Sequence, residues 1–151
     1  MFRGVSNITV DTKGRLAVPT KHRDRLMEQC DGQLVATVDV DHCLLIYPLA
    51  EWEEIERKLV KLSSLNRKAR SLQRLLVGHA TELELDGNGR ILLPQPLRQF
   101  AGIERHAVLI GQGNKFELWD EARWQSHRDQ WLAEYDGDDL DLSDELESLS
   151  L

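Results

Sequence analysis

The sequence predicts an α+β protein that is mainly β and that contains one small module twice. The loop Asp11-Thr-Lys-Gly-Arg15 recurs as Asp86-Gly-Asn-Gly-Arg90 at a spacing of 75 positions, and both loops are followed by an apolar stretch and a proline. Further along, Leu45-Ile-Tyr47 recurs as Glu117-Leu-Trp119 at a spacing of 72. Agreement in order, spacing and residue type over about 40 residues indicates a duplication. The change in spacing predicts a three-residue indel, which we place at the turn Cys30–Gly32.

Each copy is predicted to contain a strand, a tight turn, a strand, a short helix and a second pair of strands. In the first copy, apolar residues occupy every second position on both sides of the turn: Ile8 and Val10 before it, and Leu16 and Val18 after it. This alternation is typical of a hairpin. A proline then ends the strand and suits the first turn of a helix, and a glycine stops that helix. The second strand pairs are predicted at 34–40 with 43–47 and at 107–111 with 115–119.

The duplicated turns contain two kinds of residue with different roles. An aspartate can accept hydrogen bonds from the turn backbone, and a glycine supplies the positive φ that other residues resist. A structural role is therefore predicted for Asp11, Gly14, Asp86 and Gly89. The arginine that ends each turn can instead project beyond the hairpin and form bidentate bonds to guanine or to phosphate. The alternative is an Asp–Arg ion pair inside the loop.

Charge distinguishes the two turns. The residues that accompany Arg15 near the start of the chain are basic: Arg3, Lys13, Lys21, Arg23 and Arg25. The residues around Arg90 are small, polar or acidic: Gly87, Asn88, Gly89, and Glu82 and Glu84 upstream. The first copy is therefore the one predicted to bind an anion.

A helical hairpin is predicted between the copies. Apolar residues recur at helical spacing from Trp52 to Leu62 and again from Leu65 to Leu76. From Arg57 to His79 this segment has seven Lys or Arg and no acid. The sequence leaves open whether these bases form a solvated face, contact another subunit or attract phosphate. A last helix is predicted to begin after Asp120 as its N-cap, with Trp124 and Trp131 on one side.

Composition is compatible with a nucleic-acid partner despite a net charge of −7. Eight acids and no base lie in residues 132–151, so the rest of the chain has 18 acids and 19 bases. No apolar run approaches the roughly 20 residues that a membrane helix needs. We expect a cytoplasmic protein without a membrane partner.

The sequence offers no motif for catalysis or for a metal. It contains no nucleophile elbow, phosphate-binding loop or His-x-x-x-His pair. A calcium loop that begins at Asp136 fails because Leu140 has no side-chain oxygen and Asp141 replaces the required glycine. The spacing of Cys30 and Cys43 fits neither a redox pair nor a zinc ligand set. We therefore predict no enzyme, no cofactor, no metal and no small-molecule substrate.

The two Asp-x-x-x-Arg motifs identify a resemblance to the MraZ family. Further segments similar to that family are 11–19, 62–65, 75–80, 114–121 and 149–151. The resemblance implies a tandem pair of SpoVT-AbrB-type modules that fold as swapped hairpins in a small β-barrel, with a helical hairpin between them and a C-terminal helix. The implied segments are module one at 5–52, the connection at 53–80, module two at 81–124, and the helix and acidic tail at 125–151.

The same resemblance implies a function. MraZ-like proteins form rings and regulate bacterial transcription by binding short G-rich direct repeats upstream of the division and cell-wall gene cluster. It implies a nucleoid-associated homo-oligomer whose partner is double-stranded DNA. Arg15 would then read guanine, with Lys13, Arg3, Lys21 and Arg23 close to phosphates, and Arg90 would be a structural member of its motif. Two alternatives remain, an oligomeric protein-interaction module and an antitoxin-like module.

Overall fold

The computed structural model describes residues 1–135 and 144–149, and the chain divides into two compact units, Met1–Glu121 and Ala122–Leu151. The first copy contains β1 (Phe2–Thr9), β2 (Arg15–Ala17), α1 (Thr20–Cys30), β3 (Gln33–Val38) and β4 (Leu44–Pro48). A helical hairpin follows, α2 (Leu49–Val60) and α3 (Arg67–His79). The second copy contains β5 (Thr81–Glu84), β6 (Arg90–Leu92), α4 (Gln95–Ala101), β7 (His106–Gly113) and β8 (Phe116–Asp120), and α5 (Glu121–Tyr135) and α6 (Asp144–Glu147) come last.

The strands of the two copies pair with each other. A six-stranded antiparallel sheet has the order β1-β7-β8-β4-β3-β5, and β2 and β6 form a separate two-stranded sheet. The first strand of each copy therefore pairs with the third strand of the other, β1 with β7 and β5 with β3. The second strands pair as β2 with β6, and the fourth as β4 with β8. The predicted class, α+β with mostly strands, is confirmed.

The closed barrel that the resemblance implied is wrong for the described residues. β1 and β5 are the edges of an open sheet, and among the described residues a single isolated bridge joins Val10, which follows β1, to Leu16 of β2. β2 pairs instead with β6 of the other copy, so the hairpin predicted around Asp11–Arg15 is limited to that bridge. A barrel requires continuous pairing around its circumference, and this ladder is interrupted at the turns.

Helix ends and strand ends follow local chemistry. Pro19 and Pro94 directly precede α1 and α4, as predicted, and the helices end at left-handed residues, Asp31 with φ 53° and Gly102 with φ 67°. The predicted indel was placed at the turn after the first helix. However, α1 has 11 residues and α4 has 7, so the copies differ in the length of this helix as well as in the turn. β3 ends earlier than the predicted residue 40, since Asp39 N donates to the carbonyl of Cys43 at 3.0 Å and closes a turn.

At β3 and β4, both faces of the large sheet are covered. On β3 and β4, Leu34 and Ile46 belong to the main core, whereas Val35 and Tyr47 belong to a second cluster with Trp52 and Leu59 of α2. This alternation is the period of two that β-strands impose. The predicted helical hairpin is thus confirmed and covers one face.

One part of the predicted hairpin lies outside a helix. Leu65, predicted to continue the helical spacing, lies in the connection between α2 and α3 and is 94% exposed. The reason is that the side chain of Asn66 caps α3 by accepting from the backbone N–H groups of Lys68 and Ala69. The helix therefore begins only after Asn66.

The C-terminal unit contains the predicted helix α5, which begins directly after Asp120. The rings of Trp124 and Trp131 lie 5.8 Å apart, which confirms that they share one side of the helix. The candidate calcium ligands Asp136 and Asp138 lie outside the described residues. Within the described ranges, each helix is too short or too polar to cross a membrane.

His22 of α1 is buried among aromatic rings, and this placement makes stability depend on pH. Its ring centroid lies 5.9 Å from that of Phe2 and 4.9 Å from that of Phe116, edge-on in both cases. Burial lowers the pKa of the imidazole, and the positive charges of Lys21 and Arg25 lower it further. The unfolded chain therefore takes up this proton at a higher pH than the folded chain does.

We expect the free energy of unfolding to fall as the pH drops below about 6.5, the ordinary histidine value, and to go on falling until the lowered pKa is passed. Urea unfolding near pH 7.5 and pH 5.5 measures this difference. His22→Phe should remove most of it, because phenylalanine keeps the ring packing without a proton site. The exposed His106, changed to Gln, is the control; a His22→Phe variant with the pH dependence of the parent would contradict the assignment.

Candidate nucleic-acid interface

The ribbon formed by β2 and β6 brings the two duplicated turns together. Leu16 lies opposite Ile91, and both side chains are buried in the core. Since side chains alternate along a strand, the neighbouring positions face outward. They are Arg15, Ala17, Arg90 and Leu92. Arg15 is paired with Leu92 and Arg90 with Ala17, so the two arginines are diagonal neighbours on one outer face, about 7–8 Å apart at the backbone.

The first turn is closed by the carboxylate of Asp11. Its Oδ1 accepts from the backbone N–H groups of Lys13 at 3.0 Å and Arg15 at 2.9 Å. Its Oδ2 accepts from Nε of Arg15 at 2.9 Å. Gly14, with φ 93°, donates its N–H to the carbonyl of Asp11. Asp11 therefore shapes the turn and also fixes the orientation of the Arg15 guanidinium through Nε.

The second turn has the same backbone but a looser arginine. Oδ1 of Asp86 accepts from the N–H groups of Asn88 at 2.8 Å and Arg90 at 2.9 Å, and Gly89 has φ 73°. Nε of Arg90 lies 3.7 Å from Oδ2 of Asp86 and, among the described residues, is buried without a hydrogen-bond partner. Arg15 is consequently held in one orientation, whereas Arg90 lacks the bond that would hold it.

Both turn carboxylates stay ionised at neutral pH. Hydrogen bonds from backbone N–H groups, that of Arg15 first, lower the pKa of Asp11. The N–H of Arg90 is likewise the main cause of the lowered pKa of Asp86, to which the charge of Arg15 also contributes. The side chains of the Asp11–Arg15 pair remain 39% and 38% exposed, so the ion pair adds little stability in water. Its effect is to orient the arginine.

Each turn is covered by an arginine from the other copy. This arginine belongs to the helix that comes after β2 or β6 in its own copy. Arg98 lies over Gly14 and donates from Nε to the carbonyl of Leu93 at 3.1 Å. Arg23 lies over Gly89 in the equivalent way and donates to the carbonyl of Val18 at 2.6 Å. Arg23, expected near phosphate, is therefore half-buried against the second turn with its Nε engaged.

The role of Arg98 was not predicted, although its spacing of 75 from Arg23 was visible in the sequence. That spacing was the available signal, but it does not identify the partner turn. Leu92 and Ala17 were also missed, and Leu92 is 54% exposed on the ribbon. The period of two along a strand, counted from each arginine, would have indicated them.

The remaining predicted bases lie apart from the turn. Nζ of Lys21 lies beside Gly4, and Arg25 donates to the carbonyl of Met1, so both are at the start of β1, where Arg3 is exposed. Lys13 and Arg15 follow the other end of that strand. From Gly4 to Val10 a strand extends about 20 Å. The structure thus brings Lys13 together with Arg15 and leaves Arg3 with Lys21 in a separate group.

Comparison with known proteins identifies the protein family that this chain resembles. The model of the family described as "MraZ protein, putative antitoxin-like" matches residues 1–75 and 76–138. The chain is similar, at 60% identity over 151 residues and the full length of both chains, to the Transcriptional regulator MraZ of Thioalkalivibrio sulfidiphilus. It is 59% identical over 152 residues, again over the full length of both, to that of Halorhodospira halophila. Identity to that of Methylococcus capsulatus is 58% over 99% of each chain.

These relatives are named as regulators of transcription, in agreement with the prediction that the chain is not an enzyme. The family model matches the chain without a gap from residue 1 to residue 138, in two consecutive matches, one from each half of the chain. The duplication seen in the sequence and in the strand pairing thus corresponds to the repeat of the family model. The chain belongs to the MraZ family of transcriptional regulators.

Proposed function

We propose that this regulator binds double-stranded DNA at short G-rich direct repeats, as a homo-oligomeric ring at the nucleoid in the bacterial cytoplasm. Its operator would lie upstream of the division and cell-wall gene cluster. The observation that carries the proposal is the position of Arg15 and Arg90 on one outer face of the β2–β6 ribbon. A two-stranded antiparallel ribbon fits the major groove of B-DNA, and arginine forms bidentate bonds to the O6 and N7 atoms of guanine.

The two copies would be SpoVT-AbrB-type modules with exchanged hairpins, spanning about 5–52 and 81–124. The pairing of β1 with β7 and of β5 with β3 supports this proposal, because each copy supplies its first strand to the other. The reciprocal cover of Gly14 by Arg98 and of Gly89 by Arg23 supports it as well. The exchange matters for function because it creates the ribbon that displays both arginines.

Arg15 is assigned to guanine and Lys13 to the adjacent phosphates. The bond from Nε to Asp11 orients the guanidinium before DNA arrives, so less side-chain entropy is lost on binding than for Arg90. Arg3 and Lys21 would contact phosphates about 20 Å away, further along the same duplex. Arg23 would have only its terminal nitrogens available for a phosphate, since Nε is bonded to Val18.

A ring would allow a small ribbon to bind DNA tightly. β2 and β6 have three residues each, and specific protein–DNA interfaces bury about 1,000–2,500 Å² of protein surface. One ribbon is too small for that. Several subunits that engage successive repeats at once would supply the affinity, because each further contact is intramolecular. Direct repeats match subunits that present the same ribbon in the same direction.

The test is a fluorescence anisotropy titration on a duplex with several G-rich boxes and on a matched duplex with one box scrambled. We expect the scrambled duplex to bind at least about tenfold more weakly, because it removes one whole subunit contact. The logarithm of affinity should also fall steeply and linearly with the logarithm of salt concentration. Equal affinity for both duplexes would contradict sequence-specific binding, and a flat salt response would contradict phosphate contacts.

A second candidate is an oligomeric protein-interaction or antitoxin-like module. It is favoured by the helical hairpin, where all seven bases from Arg57 to Arg74 are exposed, together with the eight acids of residues 132–151. Opposite charges of this kind suit contacts between subunits. Purification at moderate salt separates the two candidates, because a DNA-binding ring retains nucleic acid and an interaction module elutes without it.

A further inference from the structure

Three possible metal ligands meet where β4 of the first copy pairs with β8 of the second. Asp39 follows β3, Cys43 precedes β4, and Glu117 lies within β8. One ligand atom from each, a carboxylate oxygen or the thiol sulfur, lies within 4.8 Å of the other two. The sequence did not indicate this group, because Glu117 is 74 positions from Cys43 and belongs to the other copy.

The thiol of Cys43 points into this group and has no partner outside it among the described residues. Cys43 has no exposed surface, and its one hydrogen bond is a long contact of 3.8 Å to Oδ2 of Asp39. Cys30, in contrast, donates to the carbonyl of Leu26 at 3.2 Å within its own helix. Burial, with the charges of Glu117, Asp39 and Asp41, raises the pKa of the Cys43 thiol.

The two carboxylates are oriented by their neighbours. Oε1 of Glu117 accepts from Nε1 of Trp119 at 3.1 Å, and Oδ2 of Asp39 accepts from the backbone N–H of Asp41 at 3.1 Å. Outer hydrogen bonds of this kind hold the ligands of a metal centre in place. Burial also raises the pKa of Glu117, against the opposite effect of Lys115. Two carboxyl groups and a thiol are therefore brought together in a poorly solvated position.

The fold does not require this combination. The turn of the second copy is closed by a similar bond, from Gln112 N to the carbonyl of Lys115 at 2.9 Å, but it is one residue shorter than the turn that Asp39 N closes on the carbonyl of Cys43 at 3.0 Å. The residue equivalent to Glu117 is Leu45, and the two are paired directly across β4 and β8. The related positions thus carry an amide in Gln112, an amine in Lys115 and an aliphatic side chain in Leu45 of the first copy, in place of the three possible ligands.

We propose that Asp39, Cys43 and Glu117 bind one Zn²⁺ ion. A thiolate with two carboxylates suits zinc, which combines sulfur and oxygen ligands in a tetrahedron and accepts water as the fourth ligand. Bonds of about 2.0–2.3 Å place neighbouring ligand atoms about 3.5 Å apart. Ligand atoms that are already within 4.8 Å reach that spacing through small side-chain rotations. The Zn–S bond forms as the Cys43 proton is released to solvent.

A zinc ion here would connect the β3–β4 turn of one copy to β8 of the other. It would stabilise the folded chain by mass action, since the unfolded chain does not hold these three ligands together. The inference does not depend on DNA binding, because the site lies in the large sheet and not on the β2–β6 ribbon.

The test is a titration of the full chain, freed of metal with a chelator, with Co²⁺ as an optical probe for the zinc site. We expect one equivalent to bind, with the near-ultraviolet charge-transfer band of a thiolate–cobalt bond and the visible bands of a tetrahedral ion. Zn²⁺ should displace the probe and raise the melting temperature. A folded parent protein that shows no thiolate band would overturn the proposal.

Variants then identify the ligands. Cys43→Ser should lose the thiolate band, and Cys30→Ser, the matched control, should keep it. Glu117→Gln and Asp39→Asn should weaken Zn²⁺ binding by at least about tenfold in a chelator competition while retaining the band at high Co²⁺ concentration. A band that persists in Cys43→Ser, or carboxylate variants with unchanged affinity, would assign the metal to other residues. Circular dichroism checks that each variant folds. If Cys43→Ser does not fold, the Zn²⁺ affinities of Glu117→Gln and Asp39→Asn show whether the metal binds at this site.

Discussion

Arg15→Ala is expected to weaken binding to a G-rich repeat operator by about 1–3 kcal/mol for every engaged subunit, the usual value of a bidentate arginine–guanine contact. Because several subunits bind together, the total loss should remove specific binding at physiological salt. The physical reason is the geometry of the first turn. Asp11 holds Nε of Arg15 at 2.9 Å and Lys13 adds a positive charge beside it. The measurement is the anisotropy titration, with folding checked by circular dichroism.

Arg90→Ala is the matched control within the same ribbon. Its guanidinium lies 3.7 Å from Asp86 without a hydrogen bond at Nε, and Asn88 replaces the lysine of the first turn. We therefore expect a clearly smaller loss than for Arg15→Ala. Equal losses would mean that the two turns act alike and that charge asymmetry does not matter. If neither variant weakens DNA binding, the ribbon is not the DNA-binding surface.

Gly14→Ala is expected to destabilise the folded chain by about 2–5 kcal/mol. A side chain at φ 93° costs about 1–2 kcal/mol, and overpacking costs about 1–3 kcal/mol. The overpacking is severe because an added Cβ would lie 2.7 Å from the backbone oxygen of Leu93 and 2.7 Å from Nε of Arg98. The carbonyl of Gly14 also accepts from the N–H of Leu93 at 2.8 Å, so the contact between copies is strained directly.

Urea unfolding followed by circular dichroism measures this change, with Gly87→Ala as its control. Gly87 belongs to the second turn but has no atom within 4 Å of an added Cβ. We expect Gly87→Ala to lie within about 0.5 kcal/mol of the parent, as surface substitutions usually do. A Gly14→Ala variant as stable as Gly87→Ala would contradict the close contact of the first turn with the second copy.

Much of the fold was predictable because local patterns determine local structure. Alternation around Asp11 and Asp86 predicted the strands that flank each turn, and proline and left-handed residues bound the helices near the expected positions. The helical hairpin followed from apolar periodicity. Leu65 was wrongly predicted to be helical because spacing alone does not show that Asn66 caps the next helix.

The candidate site was predicted only in part. Proximity in sequence suggested that Arg3, Lys13, Lys21 and Arg23 surround Arg15, and only Lys13 lies in the same turn. An extended strand separates residues that are close in sequence by about 20 Å. Arg23 instead covers Gly89 of the other copy. Sequence distance is a poor guide wherever a strand lies between two charged groups.

The sequence by itself determined that the chain is duplicated, that each turn needs its aspartate and glycine, and that the two turns differ in charge. These properties depend on residue type and spacing, which are local. Tertiary structure alone decided which strands pair, because both copies offer the same edges and the same alternation. It placed Arg15 and Arg90 on one ribbon and brought Glu117 to Cys43, since pairing between copies joins residues that no local pattern relates.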